Sequence, residues 1–161
     1  MILLENINFQ YTKKKPLFNL LNLEIGIGQI YGLLGKNGAG KTSLLKILSG
    51  LQMPQSGTCN VLGYSPFDRN ACFLEQIFLV PEVLYLPSIS AKRYVKRYAK
   101  FYHSFDYNAL SEYMESFEIE KEMHLGKSSY GQNKKFVLAF ALASKKTHRK
   151  LLLPAHSIFG P

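Results

Sequence analysis

Partial alternation of Ile, Leu, Asn and Phe over residues 1–10 predicts a strand. After the basic turn Lys13-Lys14-Lys15-Pro16, alternation resumes through Leu21, Leu23 and Ile25 and predicts a second, half-buried strand over 17–27. Gly28 breaks it, and Gln29 to Leu34 reads as a short strand of the fully buried type. A glycine-rich loop follows. Leu44, Leu45, Ile47 and Leu48 then recur at helical spacing, and Gly50 stands where a helix stop belongs. Pro54-Gln55-Ser56-Gly57 is a turn cluster, with strands predicted after it at 58–62 and at 77–80, the latter closed by Pro81. From Ser90 to about Phe117 the texture is helical, charged and aromatic. A Gly/Ser break at 126–131 precedes a helix over about 132–145, and Leu151-Leu152-Leu153 begins one more buried strand. Strands, a helical insert, then helix and strand predict an α/β domain with a helical subdomain rather than two domains in series.

At 161 residues the chain is one domain by length. Hydrophobic residues at 47% and charged ones at 19% exclude wholesale disorder. Twenty Lys and Arg against eleven Asp and Glu leave a formal charge of +9, which favours a polyanionic partner: phosphate, nucleic acid or membrane headgroups. Cys59 and Cys72 form neither a metal-ligand spacing nor a disulfide framework, so a reducing, cytosolic compartment is expected. The N-terminus lacks the features of a secretory signal, and no apolar run approaches the ~20 residues needed to span a bilayer.

The chemistry concentrates in Gly35-Lys36-Asn37-Gly38-Ala39-Gly40-Lys41-Thr42, which fits G-x-x-x-x-G-K-[ST] at every fixed position. Glycines let consecutive backbone N–H groups turn inward as an anion nest, and the following helix points its positive end at the same oxygens. Lys41 can reach β- and γ-phosphates, and Thr42 can offer a hydroxyl to Mg²⁺. The loop follows an apolar run and opens a helix, the context this motif requires. A nucleoside triphosphate is the predicted ligand.

A second constellation separates the P-loop families. Ser128-Ser129-Tyr130-Gly131-Gln132-Asn133-Lys134-Lys135, with the Ala/Leu-rich stretch 138–143, resembles the signature motif of the ABC ATPases, usually Leu-Ser-Gly-Gly-Gln. Ser129, Gly131 and Gln132 match, whereas Ser128 replaces the Leu and Tyr130 the first Gly. The P-loop core Asn37-Gly38-Ala39-Gly40 and the residues 44–51 after it are similar to that family too, as is Pro54-Gln55-Ser56-Gly57 leading to Gly63. The resemblance covers residues 2 to about 153. It implies a P-loop NTPase fold, a mixed sheet with helices and an ABC-type helical subdomain, laid out as an ATP-binding domain over 1–153 with the subdomain at about 83–130. It further implies ATP and Mg²⁺ as ligands, with Tyr11 stacking on adenine and Gly35, Asn37, Gly38, Ala39, Gly40, Lys41, Thr42 and Ser43 holding nucleotide. Thr42 would contact the metal. Ser129, Gly131 and Gln132 would face the nucleotide of an opposing subunit, in a homodimer or heterodimer. Glu82 occupies the place of the family's Q-loop glutamine; a carboxylate accepts a hydrogen bond or approaches Mg²⁺ but donates no amide proton. The implied function is the ATP-binding subunit of a bacterial exporter-type ABC transporter, an ATPase at the inner face of the cell membrane beside a membrane-spanning partner.

Two features modify that expectation. Tyr94, Tyr98, Phe101 and Tyr102 recur along one face of the basic stretch 92–102; a core stripe with a partner-docking, solvated basic face is favoured over base stacking by a nucleic-acid binder. And no Asp or Glu follows Glu122, so the acid and base that the family carries after its apolar strand are missing and no catalytic residue is identified. His103, His124, His148 and His156 are expected on the surface. Back-translated with permitted codons and read one base later, the tail 155–161 gives Pro-Thr-Ala-Ser-Leu-Asp, similar to what the family carries at that point. Residues 154–161 are therefore expected to be an aberrant, frame-shifted tail and the fold incomplete at its C-terminus. The alternatives are a soluble nucleic-acid-associated P-loop protein, similar to ABC-type translation factors, and a non-catalytic nucleotide-binding remnant.

Overall fold

The structure is a computed structural model that describes residues 1–12, 15–28, 31–120, 122–144 and 150–152. It divides into two compact units, one of Met1–Leu79 together with Leu152 and the other of Val80–Leu151.

In the first unit, strands β1 (Ile2–Phe9), β2 (Phe18–Ile25) and β3 (Ser56–Val61) form an antiparallel sheet with β1 in the centre. Ile2, Leu4, Ile7 and Phe9 are the buried side chains of β1. Their spacing is two, three, two, which explains why the alternation in sequence is only partial. An extra residue bulges out between Leu4 and Ile7, where three steps along β1 face two along β2. Asn6 takes the left-handed conformation there, φ 52°, which Asn tolerates better than most residues. A compensating irregularity lies in β2 at Leu20, φ 51°.

Helix α1 (Lys41–Leu48) buries Leu44, Leu45, Ile47 and Leu48 in the same core, as their helical spacing requires. Ser49 closes the helix and Gly50 follows at φ 71°, a position where a Cβ would collide with the carbonyl of Pro66. A short helix α2 (Ala71–Leu74), capped by Asn70, contributes Phe73 to this core, and β4 (Ile77–Leu79) adds Ile77. Of the buried strand expected over 29–34, residues 29 and 30 lie outside the described residues, and 31–34 form no strand. Residues 31–34 join no ladder, and Leu34 is 89% exposed. An apolar run becomes a strand only where neighbours take up its N–H and C=O groups, and none of the described strands pairs with this one.

The second unit is mainly helical: α3 (Ala91–Tyr98), α4 (Tyr107–Ser116) and α5 (Tyr130–Ala143). Phe140 on α5 is the hub. Tyr94, Tyr102, Phe105 and Phe136 all lie with ring centroids 4.9–6.5 Å from it. Of the aromatic stripe, Tyr94 and Tyr102 thus pack against the core, whereas Tyr98 and Phe101 are exposed, as are Lys92, Arg93, Lys96 and Arg97. Asp106 caps α4 and donates its own backbone N–H to the Ala143 carbonyl, and Lys135 donates to the Phe117 carbonyl, so α4 and α5 are tied at two points. The last strand, β5, is Lys150–Leu152.

Candidate nucleotide site and signature helix

The P-loop leads into α1 through two glycines in the left-handed region, Gly38 at φ 83° and Gly40 at φ 95°. A Cβ at Gly40 would stand 2.7 Å from the Phe18 ring, so the loop passes β2 at a distance only glycine allows. Around Gly38 there is open space. Lys41 turns its ammonium back onto the loop and donates to the carbonyls of Gly35 and Lys36.

Helix starts differ in a way that bears on a ligand. Asn70, Ser90, Asp106 and Ser129 each accept a backbone N–H at the start of α2, α3, α4 and α5, whereas Gly40 gives α1 no side-chain cap. The first N–H groups of a helix need an acceptor, and a phosphate supplies one. Thr42, in this first turn, is exposed. Ser43, the next residue, is buried, and its hydroxyl lies 2.8 Å from that of Tyr11. The uncapped helix start, the inward ammonium and the exposed hydroxyl suit a polyphosphate with its Mg²⁺. Among the described residues no group of three or more His, Cys, Asp and Glu is placed to hold a metal ion.

In the second unit Ser129 and Gln132 cap each other. The Ser129 hydroxyl accepts from the Gln132 N–H at 3.2 Å, and the Gln132 side-chain oxygen accepts from the Ser129 N–H at 3.0 Å. Gly131 has open space where a side chain would be. Tyr130 donates its hydroxyl proton to the Glu82 carbonyl, and Lys134 lies 3.3 Å from the same hydroxyl.

A family model described as ABC transporter matches residues 18–153. The chain belongs to the ABC transporter family. It is 34% identical over 130 residues to the SkfA peptide export ATP-binding protein SkfE of Bacillus subtilis, covering 76% of this chain and 53% of that protein. It is 30% identical over 149 residues to the molybdate import ATP-binding protein MolC of Haemophilus influenzae, covering 88% of this chain and 55% of MolC. The chain therefore spans about half the length of these curated relatives. A solved ABC transporter ATP-binding protein from Pyrococcus furiosus superposes with a TM-score of 0.79 at 26% identity, over 98% of this chain and 76% of that one. The fold is that of the ABC ATPase cassettes, an α/β P-loop NTPase fold.

Within this ABC cassette, several pairings were invisible in sequence. Tyr11 and Ser43 meet across 32 positions, and Tyr130 and Glu82 across 48. The signature stretch also hides a capping box that the sequence reading did not single out, although Ser-x-x-Gln before an apolar run is its signal. His124 departs from the expected surface placement: it is partly buried, with its Nδ1 enclosed and lacking a hydrogen-bond partner. It sits between two fully packed residues, Met123 and Leu125, and forms the bridge to Ser90 that pins the start of α3. His103 is exposed; His148 and His156 lie outside the described residues, as does the tail 154–161. Burial pushes the Cys59 thiol up to about 12, which keeps it protonated and inert in β3. No described helix is long and apolar enough to cross a membrane.

Proposed function

We propose that this chain is the ATP-binding part of an ABC transporter, in which Lys41, the N–H groups of the loop and Thr42 take the triphosphate of ATP with Mg²⁺. The reading rests on one observation above the rest: a P-loop that opens the one described α-helix without a side-chain cap, with the Lys41 ammonium turned into the loop. Gly35, Asn37, Gly38, Ala39 and Gly40 shape the cradle, and Tyr11, 62% exposed, offers a ring face to the base. Ser129, Gly131 and Gln132, exposed to solvent at the capped start of α5, are assigned to a second anion site that serves a partner ATP-binding domain. Glu82 stands at the Q-loop position with its backbone carbonyl engaged by Tyr130. The nucleotide domain spans 1–153, with the helical subdomain at about 83–130.

SkfE and MolC are named for cargo moved in opposite directions, so nucleotide handling is what they share and what we assign here. A membrane-spanning partner at the inner face of the membrane would choose the cargo. The packing of Tyr94 and Tyr102 against α5 disfavours base stacking by α3. Phosphoryl transfer depends on positioning and charge, and these residues supply the positive half. Calorimetric titration with ATP in Mg²⁺ tests the reading: saturable one-site binding supports it, and no detectable heat or spectroscopic response at millimolar ATP overturns it.

A further inference from the structure

Between Glu82 and Asp106 the chain carries no acidic residue, yet five of its twenty Lys and Arg fall there: Lys92, Arg93, Lys96, Arg97 and Lys100. All five are exposed. Successive helical residues turn by about 100°, so Lys92, Arg93, Lys96 and Arg97 share an arc of about 140° along α3. The opposite side holds Ala91, Tyr94 and Val95, buried or half-buried, with Tyr94 edge-on to Phe136 and Phe140 of α5. Lys100 extends the basic arc through the turn Ala99–Phe101 that follows, and its ammonium stands 5.5 Å from the centre of the Phe101 ring. That ring is 62% exposed. Packing within the unit explains the tyrosine side of α3. Among the described residues it explains neither the bare phenylalanine nor the like charges four apart, Lys92 with Lys96 and Arg93 with Arg97, which weaken a helix.

We propose that this face is a docking surface for an anionic lipid membrane, with α3 lying along the headgroups, its cations on lipid phosphates and the Phe101 ring at the boundary with the acyl chains. Charge complementarity carries the argument. An anionic leaflet attracts each Lys or Arg near its surface, and the attractions add along a helix that presents no carboxylate of its own. Long Lys and Arg stems bend towards a flat surface, so an arc of this width reaches it. An exposed ring beside the cations supplies the apolar half of interfacial binding. A nucleic acid would use the same cations but needs rings set among them to stack on its bases. Here Tyr94 and Tyr102 are turned onto Phe140, and Phe101 stands at one end of the arc. The surface holds the chain at a membrane through its own residues, whichever subunit spans the bilayer. It uses no residue of the nucleotide site, so lipid binding and ATP binding fail separately.

The test is co-sedimentation of the full chain with vesicles of about 30% phosphatidylglycerol in phosphatidylcholine, set against pure phosphatidylcholine. Binding is expected to the anionic vesicles only, and it should fall steeply between about 50 mM and about 500 mM salt as the charges are screened. Lys92→Gln/Lys96→Gln should weaken it about 20-fold. The charge-matched Lys46→Gln/Lys127→Gln, at exposed positions outside α3, should weaken it about threefold or less. Phe101→Ala should cost about fivefold. Equal losses in the two double variants would show that net charge rather than this face does the binding, and would overturn the proposal. So would equal affinity for both kinds of vesicle, or no binding to either. Tighter binding to a single-stranded oligonucleotide than to the anionic vesicles, lost with Lys92 and Lys96, would make nucleic acid the occupant instead. Circular dichroism checks the folding of each variant. Should the α3 variant not fold, lysine acetylation of the parent chain decides. With anionic vesicles Lys92, Lys96 and Lys100 should be shielded while Lys46 and Lys127 react as before, and uniform reactivity sinks the assignment.

Discussion

The ammonium of Lys41 lies 3.0 Å from the carbonyl oxygen of Lys36, inside the loop that the two residues bracket. A cation held by neutral carbonyls is poised for a better acceptor, and a phosphate oxygen is one. Lys41→Ala should weaken ATP binding by about 1.5–3 kcal/mol, the range for a hydrogen bond to a charged group. Calorimetry on the variant, with circular dichroism to confirm folding, checks this; unchanged affinity would remove Lys41 from the site.

Gly40 fails on two independent counts if given a side chain. Its φ of 95° disfavours an L-residue, and the added carbon meets Phe18 at 2.7 Å. Gly40→Ala should therefore cost about 1–3 kcal/mol of stability in a urea melt. Trimming the obstacle in Gly40→Ala/Phe18→Leu should recover only part, because the dihedral strain remains. Full recovery would show that contact alone sets the requirement.

Ser129 begins α5, the helix whose Phe140 organises the second unit. Ser129→Ala removes one half of the capping box and should lower stability by about 1 kcal/mol, whereas Ser129→Thr should keep most of it. Chemical denaturation separates the two. A null result for Ala would mean that solvent replaces the cap without loss.

Alkaline stability should reveal the two groups that folding holds neutral. Cys59 is raised from 9.0 to about 12 by burial, and Tyr94 from 10.0 to about 12 by burial first and by neighbouring Tyr98 and Tyr102 second. Below pH 9 both states keep these protons and stability is insensitive to them. As pH rises from 9 towards 12 the unfolded chain releases protons that the folded chain retains, so stability falls over that window. Tyr94→Phe should flatten the upper part of the slope and Cys59→Ala the lower part, measured as denaturation midpoint against pH.

Much of this architecture carried local signals. The helix after the glycine-rich loop, its apolar face and the helix after the Gly/Ser break each depend on neighbours within a few turns, and each formed where its pattern lay. What escaped depended on partners distant in sequence. Residues 29–34 had the composition of a buried strand, but composition does not reveal which neighbours will accept its hydrogen bonds. The turn at Pro66–Asp68 and helix α2 are short enough to vanish beneath a periodicity search, although Asn70 marks a helix start. His124 looked like any solvated histidine because nothing around it in sequence announces the bridge to Ser90.

The bulge at Asn6 governs more than its own strand. Strand residues obey an odd–even parity, and one surplus residue switches it, so that Leu4 and Ile7 share a side, as do Phe9 and, beyond the strand, Tyr11 in contact with it. Flatten the bulge with a β-branched residue that refuses φ 52°, and everything after it inverts: Ile7 and Phe9 turn to water and Tyr11 turns away from Ser43. An asparagine that is expected to touch no ligand thus acts as the gear tooth that sets where the ring arrives. Where the Tyr11 hydroxyl meets Ser43 is therefore decided by the geometry of a strand kink five residues upstream.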